Sequence, residues 1–306
     1  MALLNALPGA VAQGLIWGIM AIGVYITYKI LDFADLSVDG TMCTGGAVCI
    51  MALLSGKPMW LALVLAVVSG VLAGLVTGIF HTLMGIPAIL SGILTQLGLY
   101  SVNLKIMGKA NTPINNQKYD LIVSLLYLKG VPIYKNTILI VAICVAVIIG
   151  ILYWFFGTEL GCGIRATGCN PEMSRAQGIN TNLNIVLGLM LSNGLVAFSS
   201  ALLSQYQGFA DINMGRGAIV IGLAAVIIGG ALFDKIFHNF ALKLVAVAFG
   251  GIIYYLVLQV VMWLGLDTEL LKLLSALVVA VFLASPYLKR TYFTKASVPE
   301  EMKEVQ

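Results

Sequence analysis

Charge is what this 306-residue chain has least of: Asp, Glu, Lys and Arg make up 10% of it, whereas hydrophobic residues make up 60%. A soluble domain carries about 25% charged residues, so this sequence has too few charges to cover a water-facing surface. The mean hydropathy is +1.01. The net charge of +4 is too small for a nucleic-acid-binding surface, and no nucleic-acid partner is expected. The composition predicts an all-α polytopic membrane protein.

Catalytic and metal-binding motifs are also missing from the sequence. It has no P-loop ending in Lys-Ser or Lys-Thr, which excludes ATP hydrolysis by that mechanism. It has two histidines and neither an H-E-x-x-H nor a G-x-S-x-G motif. Of the five cysteines, Cys162 and Cys169 are interpreted as reduced loop thiols rather than as part of a metal site. We expect a non-catalytic chain with no cofactor or metal of its own.

The hydrophobic residues fall into about nine runs, and the short or glycine-interrupted ones leave the expected number of transmembrane helices between eight and ten. The runs are 10–31, 37–55, 59–80, 86–106, 136–157, 184–206, 217–232, 240–263 and 267–286. They predict a transmembrane domain over residues 1–286, with halves at about 10–157 and 184–286.

Three polar stretches interrupt or follow these runs: residues 107–135, 158–183 and the tail 287–306. Alternation of the spans puts 158–183 and the tail on one side of the membrane, and 107–135 on the other. The first side carries more Lys and Arg, and such residues favour the cytoplasm. We therefore expect a cytoplasmic central loop and C-terminus, an external loop at 107–135 and an external N-terminus.

Glycines recur at every fourth position in two of the runs, at Gly70, Gly74 and Gly78 and at Gly14 and Gly18. This spacing lets helix backbones approach closely in lipid. Two interpretations are open: packing faces inside one subunit, which we favour, and an interface between subunits.

The central loop contains a short helix with its own start and stop signals. Asn170 is a good N-cap, Pro171 suits the first helical position, and Gly178 can end the helix in a left-handed conformation. The pattern predicts about two turns, Pro171 to Gln177. Because so short a helix is unstable alone, it must dock, either back on its own bundle or on a partner.

This loop, "FFGTELGCGIRATGCNPEMSRAQGIN", resembles the cytoplasmic loop of permeases in the branched-chain amino-acid and ribose branch of ABC importers. The likeness includes a Gly, an Arg-Ala pair, Gly-x-Asn-Pro and Gly-Ile-Asn. It extends to "AIGVYITYKILDFADLSVDGTMCTGGAV" near the start and to "ANTPI" and "GVPI", and spans most of residues 15–285. Cys162 and the segment Glu172–Ser174 depart from the pattern and put affinity for a particular ATPase in question. Within the family, the chain looks closest to tryptophan/tyrosine-type systems.

The resemblance implies a type II-like ABC permease fold in the cell membrane of a prokaryote. It implies a second permease copy, an ATPase dimer that binds ATP and Mg²⁺, and a solute-binding protein that delivers an amino acid, an aromatic one included, before sugars and nucleosides. It makes the loop a coupling helix for the ATPase. The implied coupling residues are Arg165, Gly168, Asn170, Pro171, Glu172, Met173, Arg175, Ala176, Gln177 and Gly178.

A polar sequence motif, called the repeated motif below, occurs twice between apolar runs, as "FADLSVDG" at 33–40 and "FADINMGRG" at 209–217. The predicted topology puts the first copy at the cytoplasmic end of its helices and the second at the external end. Broken helices at matching positions of two inverted halves are typical of a transport path, and ionisable residues at membrane depth indicate function. The candidate pathway or gate residues are Asp35, Asp39, Asp211, Asn213 and Arg216.

Two interpretations of these polar residues are open. In the first, Asp211 pairs with Arg216 at the outer mouth, and Asp35 pairs with Lys29 near the inner gate. In the second, Asp35 and Ser37 cap the helix over 39–55 and Asn213 caps the helix over 217–232. The alternative to an ABC permease is a self-contained secondary transporter or channel that uses the buried aspartates for coupling.

Overall fold

The computed structural model describes residues 2–115, 119, 121–128, 136–233, 236, 237, 239–264, 273, 276, 277, 279–281 and 284. The apolar runs form helices because a helix satisfies its own backbone hydrogen bonds where no water is available. The helices are α1 Ala2–Tyr25, α2 Val38–Leu54, α3 Met59–Thr82, α4 Ala88–Met107, α5 Thr137–Phe156, α6 Glu159–Cys169, α7 Pro171–Ala176, α8 Thr181–Gln207, α9 Ala218–Phe233 and α10 Phe240–Trp263. A π-helical turn, Ile26–Ile30, continues α1, and a 3-10 turn covers Leu125–Leu128.

Each predicted span up to 240–263 corresponds to one of these helices, and the ninth, 267–286, lies mostly outside the described residues. The tail 287–306 lies outside them entirely. Five helical segments in the described part are long and apolar enough to cross a membrane, and α2 and α9 are shorter apolar helices. The expectation of broken or short helices is therefore confirmed for α2 and α9, the two helices that follow the copies of the repeated motif.

The most extensive helix–helix packing in the described part of the chain is between α3 and α8 and between α1 and α10. A Cβ atom added at Gly74 would collide with the carbonyl oxygen of Leu189 on α8, and one added at Gly14 would lie 2.6 Å from the Cα atom of Ile252 on α10. These glycines therefore let backbones touch inside one subunit. This confirms the favoured interpretation of the glycine repeats.

A small antiparallel ribbon links two distant parts of the chain. Strand β1, Asn111–Pro113, pairs with β2, Phe209–Asp211, so that Asn111 lies opposite Asp211. The ribbon joins the polar stretch at 107–135 to the second copy of the repeated motif.

Candidate functional site

The carboxylate of Asp39 lies at the start of two helices at once. Asp39 is in the first turn of α2, and its two oxygens accept hydrogen bonds from Gly217 N at 2.9 Å and Ile219 N at 3.0 Å, at the start of α9. The first N–H groups of a helix have no partner within it, and the positive end of the helix dipole favours a negative charge. One side chain therefore stabilises the beginnings of both short helices.

Further contacts join α2 to the second copy of the repeated motif. The Cys43 thiol donates to the carbonyl oxygen of Ile212 at 3.0 Å, and Gly215 N donates to Cys43 Sγ at 3.4 Å. A Cβ atom at Gly215 would collide with the carbonyl oxygen of Asp39. We call the residues Asp39, Cys43, Ile212, Gly215 and Gly217 the central junction.

The central junction corrects one expectation from the sequence. The two copies were expected near opposite faces of the membrane, and this is wrong for their last residues, since Asp39 and Gly217 are hydrogen-bonded. It also corrects the assignment of Asn213 as the cap of α9, because that role belongs to Asp39, far away in the sequence.

Asp35 lies in a buried polar network and is 2% exposed. Its oxygens accept from Ser37 N at 2.9 Å, from the Ser37 hydroxyl at 2.5 Å and from Asn193 Nδ2 at 2.8 Å. Thr41 donates to Asn193 Oδ1 at 2.6 Å. Lys29 is exposed, so the predicted Asp35–Lys29 pair is wrong. The network links the start of α2 to the middle of α8.

Asp211 uses both of its oxygens at the ribbon. One accepts from Asn213 N at 2.7 Å and the other from Asn111 Nδ2 at 3.1 Å. Arg216 is exposed and makes neither of these bonds, which corrects the predicted Asp211–Arg216 pair. Asp211 instead holds the turn after β2 against β1.

Two cavities adjoin the central junction, and Arg216 lines both of them. The smaller has a volume of about 130 Å³ and is also lined by Asp39, Tyr100 and Asn103. The larger has a volume of about 410 Å³ and includes Trp17 in its wall. Residues of α2 line the smaller cavity, and residues of α9 line the larger one.

Asn193, Asn103 and Trp17 were not predicted as site residues from the sequence. The sequence did contain a signal for the two asparagines, because each is a polar residue inside an apolar run. The structure buries both of them completely. Buried amides need hydrogen-bond partners, so each marked a polar contact with another helix. Nothing in the sequence around Trp17 distinguishes it from an ordinary core residue.

The short helix α7 has the ends that the sequence predicts. Asn170 Oδ1 accepts from Met173 N at 3.0 Å, Pro171 occupies the first turn, and Gly178 adopts a left-handed φ of +81°. The helix itself is one residue shorter than predicted and ends at Ala176, with Gln177 as its C-cap. Its predicted start and stop signals are confirmed.

Most side chains of α7 point away from the bundle. Met173 is 63% exposed, and Ser174 is the one buried residue of the helix. The other exposed positions of the segment are Asn170, Pro171, Glu172, Arg175, Ala176, Gln177 and Gly178. A surface with an acidic, a basic and a large apolar side chain is suited to docking a partner.

The central loop contains a second helix, α6, before α7, in addition to the one helix that was predicted there. Asn184 Nδ2 of α8 donates to Thr167 Oγ1 of α6 at 3.1 Å. A Cβ atom at Gly168 would collide with the carbonyl oxygen of Ile30. Arg165 lies over the Phe240 ring of α10 at 5.5 Å. Of the implied coupling residues, Arg165 and Gly168 therefore contact the bundle rather than share the exposed face of α7.

A bundle of apolar helices, five of them long enough to cross a membrane in the described part of the chain, is the architecture of a multi-pass membrane protein. Residues 7–283 match the family model described as the permease component of the branched-chain amino acid transport system. The chain belongs to this family and is a permease of a prokaryotic ABC system.

Relatives in this family cover nearly the whole chain. The tyrosine transport system permease protein of Clostridioides difficile is 40% identical and covers 92% of each chain. An uncharacterised protein of Rickettsia prowazekii is 35% identical over 92% of this chain and 98% of its own. The fructose import permease of Bifidobacterium longum is 25% identical over 81% of this chain and 68% of its own. PsaBC from Streptococcus pneumoniae, solved with a Fab, shares the fold with a TM-score of 0.52 at 16% identity, over 99% of each chain.

Proposed function

We propose that this chain is the transmembrane subunit of an ATP-driven ABC importer that moves an amino acid, aromatic amino acids included, into the cell. Two copies would form the pathway in the cell membrane, a solute-binding protein would deliver the cargo, and an ATPase dimer would bind ATP and Mg²⁺. The observation that carries the proposal is α7, a capped helix whose exposed face has no partner inside the described bundle.

Contacts around α7 support its role as a coupling helix. Arg175 Nε donates to Thr181 Oγ1, at the start of α8, at 2.8 Å. Further along α8, Asn193 is bonded to Asp35 before α2. A displacement of α7 by the ATPase would therefore reach the central junction through α8. In this arrangement α7 and the tail 287–306 face the cytoplasm, and the loop at 107–135 faces the solute-binding protein.

The cargo class rests on the family and on the tyrosine permease that this chain resembles. Sugar permeases occur among the more distant relatives. An amino acid is the better supported cargo, because the tyrosine permease matches this chain over 92% of both chains.

A purification experiment tests the proposal. The tagged permease is purified from cells that express its operon, and reconstituted vesicles are assayed for ATP-dependent uptake of radiolabelled L-tyrosine. We expect an ABC ATPase to copurify with the permease and uptake to require ATP. Gradient-driven uptake by the permease alone, without an ATPase, would instead identify a secondary transporter and overturn the proposal.

The cap of α7 gives the matched variants for this test. Loss of an N-cap costs about 1 kcal/mol, which a helix of two turns cannot absorb, so Asn170→Ala should reduce ATPase retention and uptake at least severalfold. The control is Asn136→Ala, which removes the equivalent cap of α5, where Asn136 Oδ1 accepts from Ile138 N at 3.0 Å. Equal retention in both variants would remove α7 from the docking surface.

A further inference from the structure

The larger cavity beside the central junction combines an aromatic wall with a single cationic side chain. Trp17, Val220, Tyr254 and Leu258 line it together with Arg216, and its volume is about 410 Å³. Small-molecule sites in proteins are about 300–1,000 Å³, with mostly apolar walls and a few polar groups. This cavity therefore has the size and the lining of a site for one small amphipathic molecule.

Trp17 contributes its ring to this wall. Its side chain is 6% exposed, and its indole Nε1 is itself inaccessible to solvent, so Trp17 offers a ligand its ring and not its N–H. Aromatic pairs contribute about 0.5–1.5 kcal/mol beyond the area they bury. The ring therefore favours an aromatic ligand in the larger cavity.

The smaller cavity, on the other side of Arg216, is lined by acceptors. Asp39 and Asn103 lie in its wall. Asn103 is fully buried, and its Oδ1 has no hydrogen-bond partner within the described part of the chain. Because this Oδ1 is inaccessible to solvent, the acceptor that the cavity offers to an ammonium group is the carboxylate of Asp39.

We propose that Arg216 binds the carboxylate of an aromatic α-amino acid between these two cavities. The ammonium group then points to Asp39, and the aromatic ring occupies the larger cavity beside Trp17. This inference rests on the proposed function, since it gives the imported cargo a binding site inside the permease.

The chemistry of the walls selects among ligands. A sugar in the larger cavity would bring several hydroxyl groups against Val220, Leu258 and the aromatic rings, where they would lose their hydrogen bonds with water. An aromatic amine without a carboxylate would leave Arg216 without a partner. A molecule with a carboxylate, an ammonium group and an aromatic ring matches Arg216, Asp39 and the aromatic wall at once.

Fluorescence of Trp17 tests the proposal directly. The other tryptophans, Trp60, Trp154 and Trp263, are more than half exposed, so their replacement by Phe leaves Trp17 as the one indole at little structural cost. This variant is purified in nanodiscs and titrated with L-phenylalanine, with phenethylamine, which lacks the carboxylate, and with 3-phenylpropionate, which lacks the ammonium group.

We expect L-phenylalanine to bind more tightly than either analogue. Because a hydrogen-bonded ion pair contributes about 1.5–3 kcal/mol, Arg216→Gln in this background should weaken L-phenylalanine about ten- to hundredfold and leave phenethylamine unchanged. Asp39→Asn, which keeps an oxygen for the cap of α9, should weaken L-phenylalanine and spare 3-phenylpropionate. The control is Lys105→Gln, which removes an exposed cation at the end of α4 and should change none of the affinities.

Two results overturn the site. One is the absence of any fluorescence change with L-phenylalanine, and the other is an affinity that Arg216→Gln does not alter. ATP-dependent uptake in reconstituted vesicles separates this failure from failure of the proposed function. Normal uptake by the Arg216→Gln variant rejects the site while the importer stands. Absent uptake by the wild type, with ligand discrimination intact, rejects the importer while the site stands.

Discussion

Asn193 shows how one polar residue can hold two helices together at the centre of an apolar bundle. It donates to Asp35 at 2.8 Å and accepts from Thr41 at 2.6 Å, so it connects α8 to both sides of the start of α2. All three side chains are buried. A buried polar network is stabilising only when each of its members is satisfied.

This network predicts strong coupling between Asp35 and Asn193. Asn193→Leu removes a donor to a buried carboxylate and should lower the free energy of unfolding by about 1–3 kcal/mol. Asp35→Leu removes one of the two acceptors of the Asn193 amide and the acceptor of Ser37, and should have a cost of the same order. The double variant should cost less than the sum of the two, because the Asp35–Asn193 hydrogen bond is lost only once.

Thermal unfolding of the purified variants in detergent measures this coupling. The control pair is Asp35→Leu combined with Asn184→Leu, since Asn184 bonds Thr167 instead, and this pair should be additive. Additive losses for Asp35 and Asn193 as well would show that the hydrogen bond contributes nothing to stability.

At the scale of the helix, the pairing of α3 with α8 depends on glycines. Gly70 and Gly74 each meet backbone atoms of α8 where a Cβ atom would collide. Without a hydrophobic drive between helices in lipid, close backbone contact supplies the van der Waals attraction. The α8 segment that carries Asn193 is therefore positioned by the small residues of α3.

A single added methyl group should disturb this pairing. Gly74→Ala places its Cβ atom against the carbonyl of Leu189, and such overpacking costs about 1–3 kcal/mol. Gly98→Ala, on α4, has no atom within 4 Å of the new methyl group and should be neutral or stabilising by up to about 1 kcal/mol. Thermal unfolding in detergent compares the two, and equal stability would show that α3 and α8 can separate without cost.

The elements also differ in how far the sequence could predict them. The start and stop of α7 follow from Asn170, Pro171 and Gly178, because capping acts over three or four residues. The cap of α9 is Asp39, which lies in the other half of the chain, and no local rule can find such a partner. The predicted pairs Asp35–Lys29 and Asp211–Arg216 failed for the same reason, since proximity in sequence replaced the tertiary contacts.

At the scale of the whole molecule, the described contacts form a continuous path from α7 to the ribbon. It runs along α8 to Asn193, across to Asp35 and the start of α2, and through Asp39 to the turn after β2. Rigid helices joined by polar contacts can transmit a displacement between sites. Energy that enters at α7 would therefore reach the segment that borders Arg216 and the two cavities.

The far end of this path gives the last prediction. Asp211 holds the turn after β2 by accepting from Asn213 N at 2.7 Å and from Asn111 at 3.1 Å. Asp211→Ala frees the turn that carries Gly215 and should lower ATP-dependent uptake severalfold. Copurification with the ATPase should stay intact, because α7 is unchanged. Asn111→Ala removes one of the two bonds and should give a smaller loss. Normal uptake by Asp211→Ala at full expression would show that the ribbon plays no part in transport. Loss of the ATPase from the complex would show instead that the substitution disturbs folding of the permease.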